Sequence, residues 1–127
     1  MTPFGQRVRE LRAARGVTLA EMAATLGVTP AYLSALEHGK RGRPTFTLIQ
    51  GVIHVLGVIW DEADELIRLA DLSHPRVTVD TAGLDPEATL LANRLAREIA
   101  ALEPQDIAQL STVLDEAAAR ARHKRMA

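Results

Sequence analysis

The sequence predicts an all-α fold: five short helices in the first half of the chain, then a helical hairpin. Three observations predict it. Apolar residues recur every three or four positions over most of the length, which is the spacing of one helix face and not of a strand. Threonines stand just before several of these runs and glycines just after, the usual start and stop chemistry of helices. The 127 residues are 47% hydrophobic, mostly Ala, Leu and Val, and only 3% aromatic, a composition suited to a helical core.

The first helix carries Phe4, Val8, Leu11 and Ala14 on one side and closes at Gly16. The second starts with a capping box. Thr18 can accept from the Glu21 amide while the Glu21 carboxylate reaches back to the Thr18 amide. Leu19, Met22, Ala23 and Leu26 form its apolar face, and Gly27 takes the positive φ that stops it. Val28 plugs the turn. Thr29 caps the third helix, with Pro30 at the first helical position, where its missing N–H costs nothing. Tyr32, Leu33 and Leu36 follow, and Gly39 ends the run. The fourth helix is capped by Thr45 after Pro44, holds Leu48, Ile49, Val52, Ile53 and Leu56 inside, and stops at Gly57. The fifth is expected to be capped by Asp61 and to bury Ala63, Leu66, Ile67, Leu69 and Ala70. Trp60, between the fourth and fifth helices, is expected in the bundle core, with a place in a subunit interface as the other reading.

Residues 73–83, SHPRVTVDTAG, break the helical period and read as a linker. The alternation Val77-Thr78-Val79 is strand-like, either extended linker or a strand that pairs with its copy. Asp85 is expected to cap the next helix, with Pro86 first and Glu87 behind it. Leu84, Ala88, Leu91, Leu95, Ile99 and Leu102 run along one side of it. Pro104 opens the last helix, where Ile107, Leu110, Val113, Leu114, Ala117 and Ala121 recur. Two such helices need something to bury their stripes. Either they fold back on the bundle or they pack against the same hairpin of a second chain, which is the preferred reading. The expected organisation is a first domain over 1–72, a linker over 73–83, a dimerising hairpin over 84–122 and a solvated basic tail over 123–127.

The second and third helices, with their tight glycine turn, form a helix-turn-helix. In that motif the second helix enters the major groove of DNA. Charge agrees with this. Residues 1–43 hold seven Lys/Arg against three acids, although the whole chain has net charge −1. The loop after the third helix concentrates Lys40, Arg41 and Arg43, and helix N-termini at Thr18 and Thr29 offer amides to phosphate oxygens. Thr18, Lys40, Arg41 and Arg43 are therefore the expected phosphate contacts. Three phosphates per protomer of a dimer would give a slope of log affinity on log salt of about −5. Thr29, Pro30, Ala31, Tyr32, Ser34 and Ala35 are expected to face the groove. Pro30, Ala31 and Ala35 offer only apolar contact, so base-edge readout is thin, and DNA shape or other segments of the chain carry more of the specificity. Tyr32 reads equally as a base contact or as a packing or phosphate-contacting aromatic.

The run from Phe4 to Leu56 resembles the DNA-binding domain of the lambda Cro/repressor type, the xenobiotic-response-element (XRE) family. The residues that carry the resemblance are Arg12, Gly16, Thr18, Leu19, Ala23, Leu26, Gly27, Val28, Leu33, Leu36, Glu37, Gly39, Arg43 and Pro44. It covers roughly the first half of the chain. It implies a lambda-repressor-like five-helix bundle and a structural ion pair between Arg12 and Glu37. It also implies a transcriptional regulator, more in keeping with a repressor, that binds near-palindromic double-stranded DNA as a homodimer. Leu91, Leu95, Ile99, Leu110 and Leu114 are the expected dimer interface. The alternative is an antitoxin-like interaction module, whose C-terminal helices bind a partner protein while DNA binding serves autoregulation. A ligand-responsive switch is disfavoured, because the hairpin is small and poor in aromatics.

Other chemistries lack their residues. The chain has no Cys, which excludes disulfides and thiol catalysis and fits the cytoplasm. No apolar run is long enough to cross a membrane, and no signal peptide is recognisable. Asp61, Glu62, Asp64 and Glu65 read as a charged helix start and not as an acid–base pair. His38, His54, His74 and His123 lack metal-ligand spacing. No enzyme activity, cofactor or metal is expected.

Overall fold

Seven α-helices and one 3-10 turn make up the regular structure among the described residues, 1–126, of the computed structural model. They are α1 (Pro3–Arg15), α2 (Leu19–Leu26), α3 (Pro30–Glu37), α4 (Phe46–Leu56), α5 (Asp61–Asp71), α6 (Pro86–Glu98) and α7 (Pro104–Met126), with the 3-10 turn at Ile99–Ala101 between the last two. The fold is all-α, and no strand occurs among the described residues. Two compact units result, Met1–Thr78 and a second that begins at Val79.

The first unit is the five-helix bundle. Phe4, Val8 and Leu11 of α1 meet Met22 and Ala23 of α2, Leu33 and Leu36 of α3, Ile49 and Val52 of α4 and Leu66 and Ala70 of α5 in one core. Each fully buried side chain of Leu size is worth roughly 1.5–3 kcal/mol. Leu33 and Leu36 thus decide which side of the short α3 faces inward, and so which side faces water.

The caps explain why such short helices hold their ends. The Gly5, Glu21, Tyr32 and Leu48 amides donate to the hydroxyls of Thr2, Thr18, Thr29 and Thr45 at 3.0, 3.1, 3.0 and 3.2 Å. The Thr18 amide also donates to the Glu21 carboxylate, completing the capping box. Gly27 takes φ 72°, as the turn between α2 and α3 requires. Gly5 does a different job. A Cβ built there would lie 2.1 Å from the Glu37 carbonyl oxygen, so the start of α1 and the end of α3 meet backbone to backbone. The Thr2 amide donates to that same carbonyl at 3.0 Å.

Several expectations are corrected. Ala14 is exposed, leaving Phe4, Val8 and Leu11 as the buried stripe of α1. Asp61 is the first residue of α5 and not its cap. The capping position is Trp60, at φ 54° and ψ −125°, with no side-chain cap bond. Trp60 lies outside the core and is 81% exposed. It precedes three first-turn acids that suit the positive helix end. Ser73, placed in the linker by composition, is buried. It accepts from the Phe4 amide at 2.9 Å and donates to the Leu69 carbonyl, so the bundle extends past residue 72.

In the second unit, Asp85 occupies the capping position of α6 without a side-chain cap bond. Val77–Val79 form no strand. α7 continues through His123, Lys124 and Arg125 to Met126. The basic end expected as a separate tail is therefore the last turn of a helix, where cations suit the negative dipole end. No residue of α6 or α7 is buried.

Candidate nucleic-acid interface

The turn at Gly27 sets α3 against α2 with its N-terminus outward. Thr29, Pro30 and Ala31 are exposed, whereas Tyr32, Ser34 and Ala35 are half-buried. The solvent face of α3 at its first turn is thus broader than at its second. Tyr32 lines an open hollow with Thr25, Leu26, Val28, Thr29, Thr45, Thr47, Leu48 and Gly51. The starts of α3 and α4 therefore lie side by side. Phe46 and Thr47, at the start of α4, are exposed beside Thr45. Nothing in the local sequence marks these two beyond their place after a threonine cap.

The other end of α3 is fixed by charge. Arg12 Nη2 lies 3.1 Å from Glu37 Oε2 and donates to both carboxylate oxygens. The two side chains are only 10% and 2% exposed. A single nitrogen thus spans both oxygens, while Arg12 Nε is buried without a hydrogen-bond partner. With Gly5 and Thr2 closing on the Glu37 carbonyl, α3 is tied to α1 through both the side chain and the backbone of one residue.

The three cations of the following loop have different partners. Lys40 is exposed, with no ion-pair partner among the described residues. The Arg41 guanidinium lies over the Tyr32 ring, 5.3 Å from its centroid. Arg43 donates to the Asp71 carboxylate at the end of α5. Asp71 stands 28 residues away in sequence, and nothing in the local pattern announces that pairing. Thr18 stands apart from the loop residues, because its amide already faces the Glu21 carboxylate.

Residues 3–66 match the family described as the helix-turn-helix domain. The chain belongs to the helix-turn-helix family. An HTH-type transcriptional regulator of Bacillus subtilis (strain 168), the uncharacterised RghRB, is 43% identical over 61 residues, 48% of this chain and 44% of that protein. The HTH-type transcriptional regulator SinR of Bacillus licheniformis is 34% identical over 66 residues, 49% of this chain and 60% of its own length. The solved N-terminal DNA-binding domain of SinR from Bacillus subtilis is 31% identical at a TM-score of 0.44, over 50% of this chain and 88% of that one. The chain spans about half the length of the curated relatives it matches. The matched stretch of this helix-turn-helix protein contains every loop cation described above. Among the described residues no helix is long and apolar enough to cross a membrane, and no cluster of His, Cys, Asp or Glu is arranged to hold a metal.

Proposed function

We propose that the protein is a sequence-specific transcriptional regulator that binds double-stranded DNA through α3. One observation carries this reading. The exposed start of α3 (Thr29, Pro30, Ala31) sits on a helix whose other side is locked into the core, and the cationic Lys40–Arg43 loop follows directly. Helix 3 would then lie in the major groove while the loop holds phosphates. Ser34 and Ala35 are less available than Thr29 to Ala31, so base-edge contacts concentrate on the first turn. Lys40 and Arg41 supply the free positive charge. The protein works in the cytoplasm, where bacterial-type regulators meet DNA, and acts as a repressor by occluding polymerase.

The regulator functions as a homodimer. Leu91, Leu95, Ile99, Leu110 and Leu114 are all exposed on α6, the 3-10 turn and α7, at 42–67%. A second copy covering them removes apolar area from water, and two-fold symmetry presents two α3 helices about 34 Å apart on near-palindromic sites. A different protein on those helices is the competing occupant. Light scattering of the purified chain separates the two, because a homodimer forms with nothing added.

Selection of bound duplexes from random DNA at about 0.15 M salt tests the reading. Enriched sequences with paired half-sites about 10 base pairs apart are expected. The chain with Lys40, Arg41 and Arg43 all changed to Glu should enrich nothing. Equal affinity of that variant and the parent for every duplex would overturn the proposal.

A further inference from the structure

We infer that Tyr32 serves DNA binding as a platform for Arg41, holding the guanidinium beside α3 so that its donors meet a phosphate already oriented. This deepens the DNA-binding reading above and rests on it. Tyr32 is then a positioning residue, and its hydroxyl reads no base.

Among the described residues Arg41 has no ion-pair partner. It lies between Gly39 and Gly42, at φ 81° and 76°, and its side chain is exposed. A free arginine side chain carries much rotamer entropy, which a phosphate contact must freeze. The Tyr32 ring removes part of that cost beforehand. The ring is itself held, because Tyr32 is half-buried and packs against the bundle core. With Cζ over the ring, 5.3 Å from its centroid, the guanidinium is held by a cation–π contact that uses no carboxylate, so its N–H donors remain for a phosphate. Arg43 differs, since Asp71 occupies its donors and offsets its charge. Arg41 is thus the loop cation that is both positioned and un-neutralised.

The test uses the full chain, a duplex recovered by the selection above and a duplex of unrelated sequence. Tyr32→Phe keeps the ring and should bind both duplexes as the parent does. Tyr32→Leu should lose about three- to fivefold per protomer, and so about 10- to 25-fold for a dimer, on both alike, the scale of an exposed cation–π contact. Arg41→Ala should lose affinity too, and adding Tyr32→Leu to it should cost nothing more. A Tyr32→Leu loss that persists without Arg41 overturns the inference. So does a Tyr32→Phe variant that changes the preferred base at one position.

A second measurement needs no DNA. In the free protein, the Arg41 δ-protons should show an upfield ring-current shift by NMR, kept in Tyr32→Phe. Its absence from the parent overturns the platform even if Tyr32→Leu fails to fold. A shift that is present in a protein binding no duplex faults the DNA-binding reading instead.

Discussion

Arg43 of the cationic loop donates to Asp71 at the end of α5, so the loop's last positive charge is held by the protein's own carboxylate. The pair is surface-exposed and contributes at most about 1 kcal/mol to stability. Its larger effect is on the DNA side. With Arg43 occupied, a dimer presents four free loop cations, and log affinity should fall with log salt at a slope of about −4, shallower than three cations per protomer would give.

Asp71→Asn should release Arg43. DNA affinity at low salt should rise, and the slope should steepen by about 2 for a dimer. The gain should vanish when Arg43→Ala is also present. Titrations at several salt concentrations check both. An unchanged slope in Asp71→Asn would mean that Arg43 engages phosphate in the parent as well.

The Arg12–Glu37 pair predicts a non-additive stability pattern. Arg12→Met leaves a carboxylate that is 2% exposed without its counter-charge and should cost about 3–5 kcal/mol. Arg12→Met with Glu37→Met removes both charges and should recover much of that loss. Urea unfolding followed by far-ultraviolet circular dichroism measures the cycle. A double variant less stable than Arg12→Met would contradict it.

Gly5→Ala should be severe, even though Ala favours helices over Gly by up to about 1 kcal/mol. The added methyl would stand 2.1 Å from a backbone oxygen that has no rotamer to escape through. α1 and α3 must separate, at about 3 kcal/mol or more. For a unit of this size the Tm should fall by well over about 10 °C. A variant as stable as the parent would show that α1 does not approach α3 so closely.

Leu95→Glu with Leu114→Glu should leave the first unit's thermal transition unchanged, because neither residue contributes to its core. The same pair should shift the chain from dimer to monomer and weaken operator binding. Sedimentation at several concentrations reads the first effect, and duplex titration reads the second.

The sequence revealed the bundle through local rules. Thr18, Thr29 and Thr45 cap because each precedes an apolar run, and their hydroxyls accept the amides three residues on. The same logic failed at Asp61, where Trp60 takes the capping position instead, and at Asp85 it found the right position but not the bond, because the Asp85 side chain accepts from no helix amide. Trp60 is expected in the core as an aromatic beside two apolar helices, whereas the chain reversal between α4 and α5 carries it into water. Ser73 and Asp71 illustrate the deeper limit. Their partners, Phe4 and Arg43, are 69 and 28 residues away, and no periodicity encodes a contact that only the closed bundle creates.

Trp60 is the chain's single tryptophan, and it stands almost fully in solvent. Its emission should already be that of a hydrated indole in the native first unit, so denaturation will scarcely change the colour of the light. The same fluorophore makes a sensitive reporter for encounters. A blue shift on adding duplex, or on concentrating the protein, would mean that something has come to rest against the corner between α4 and α5.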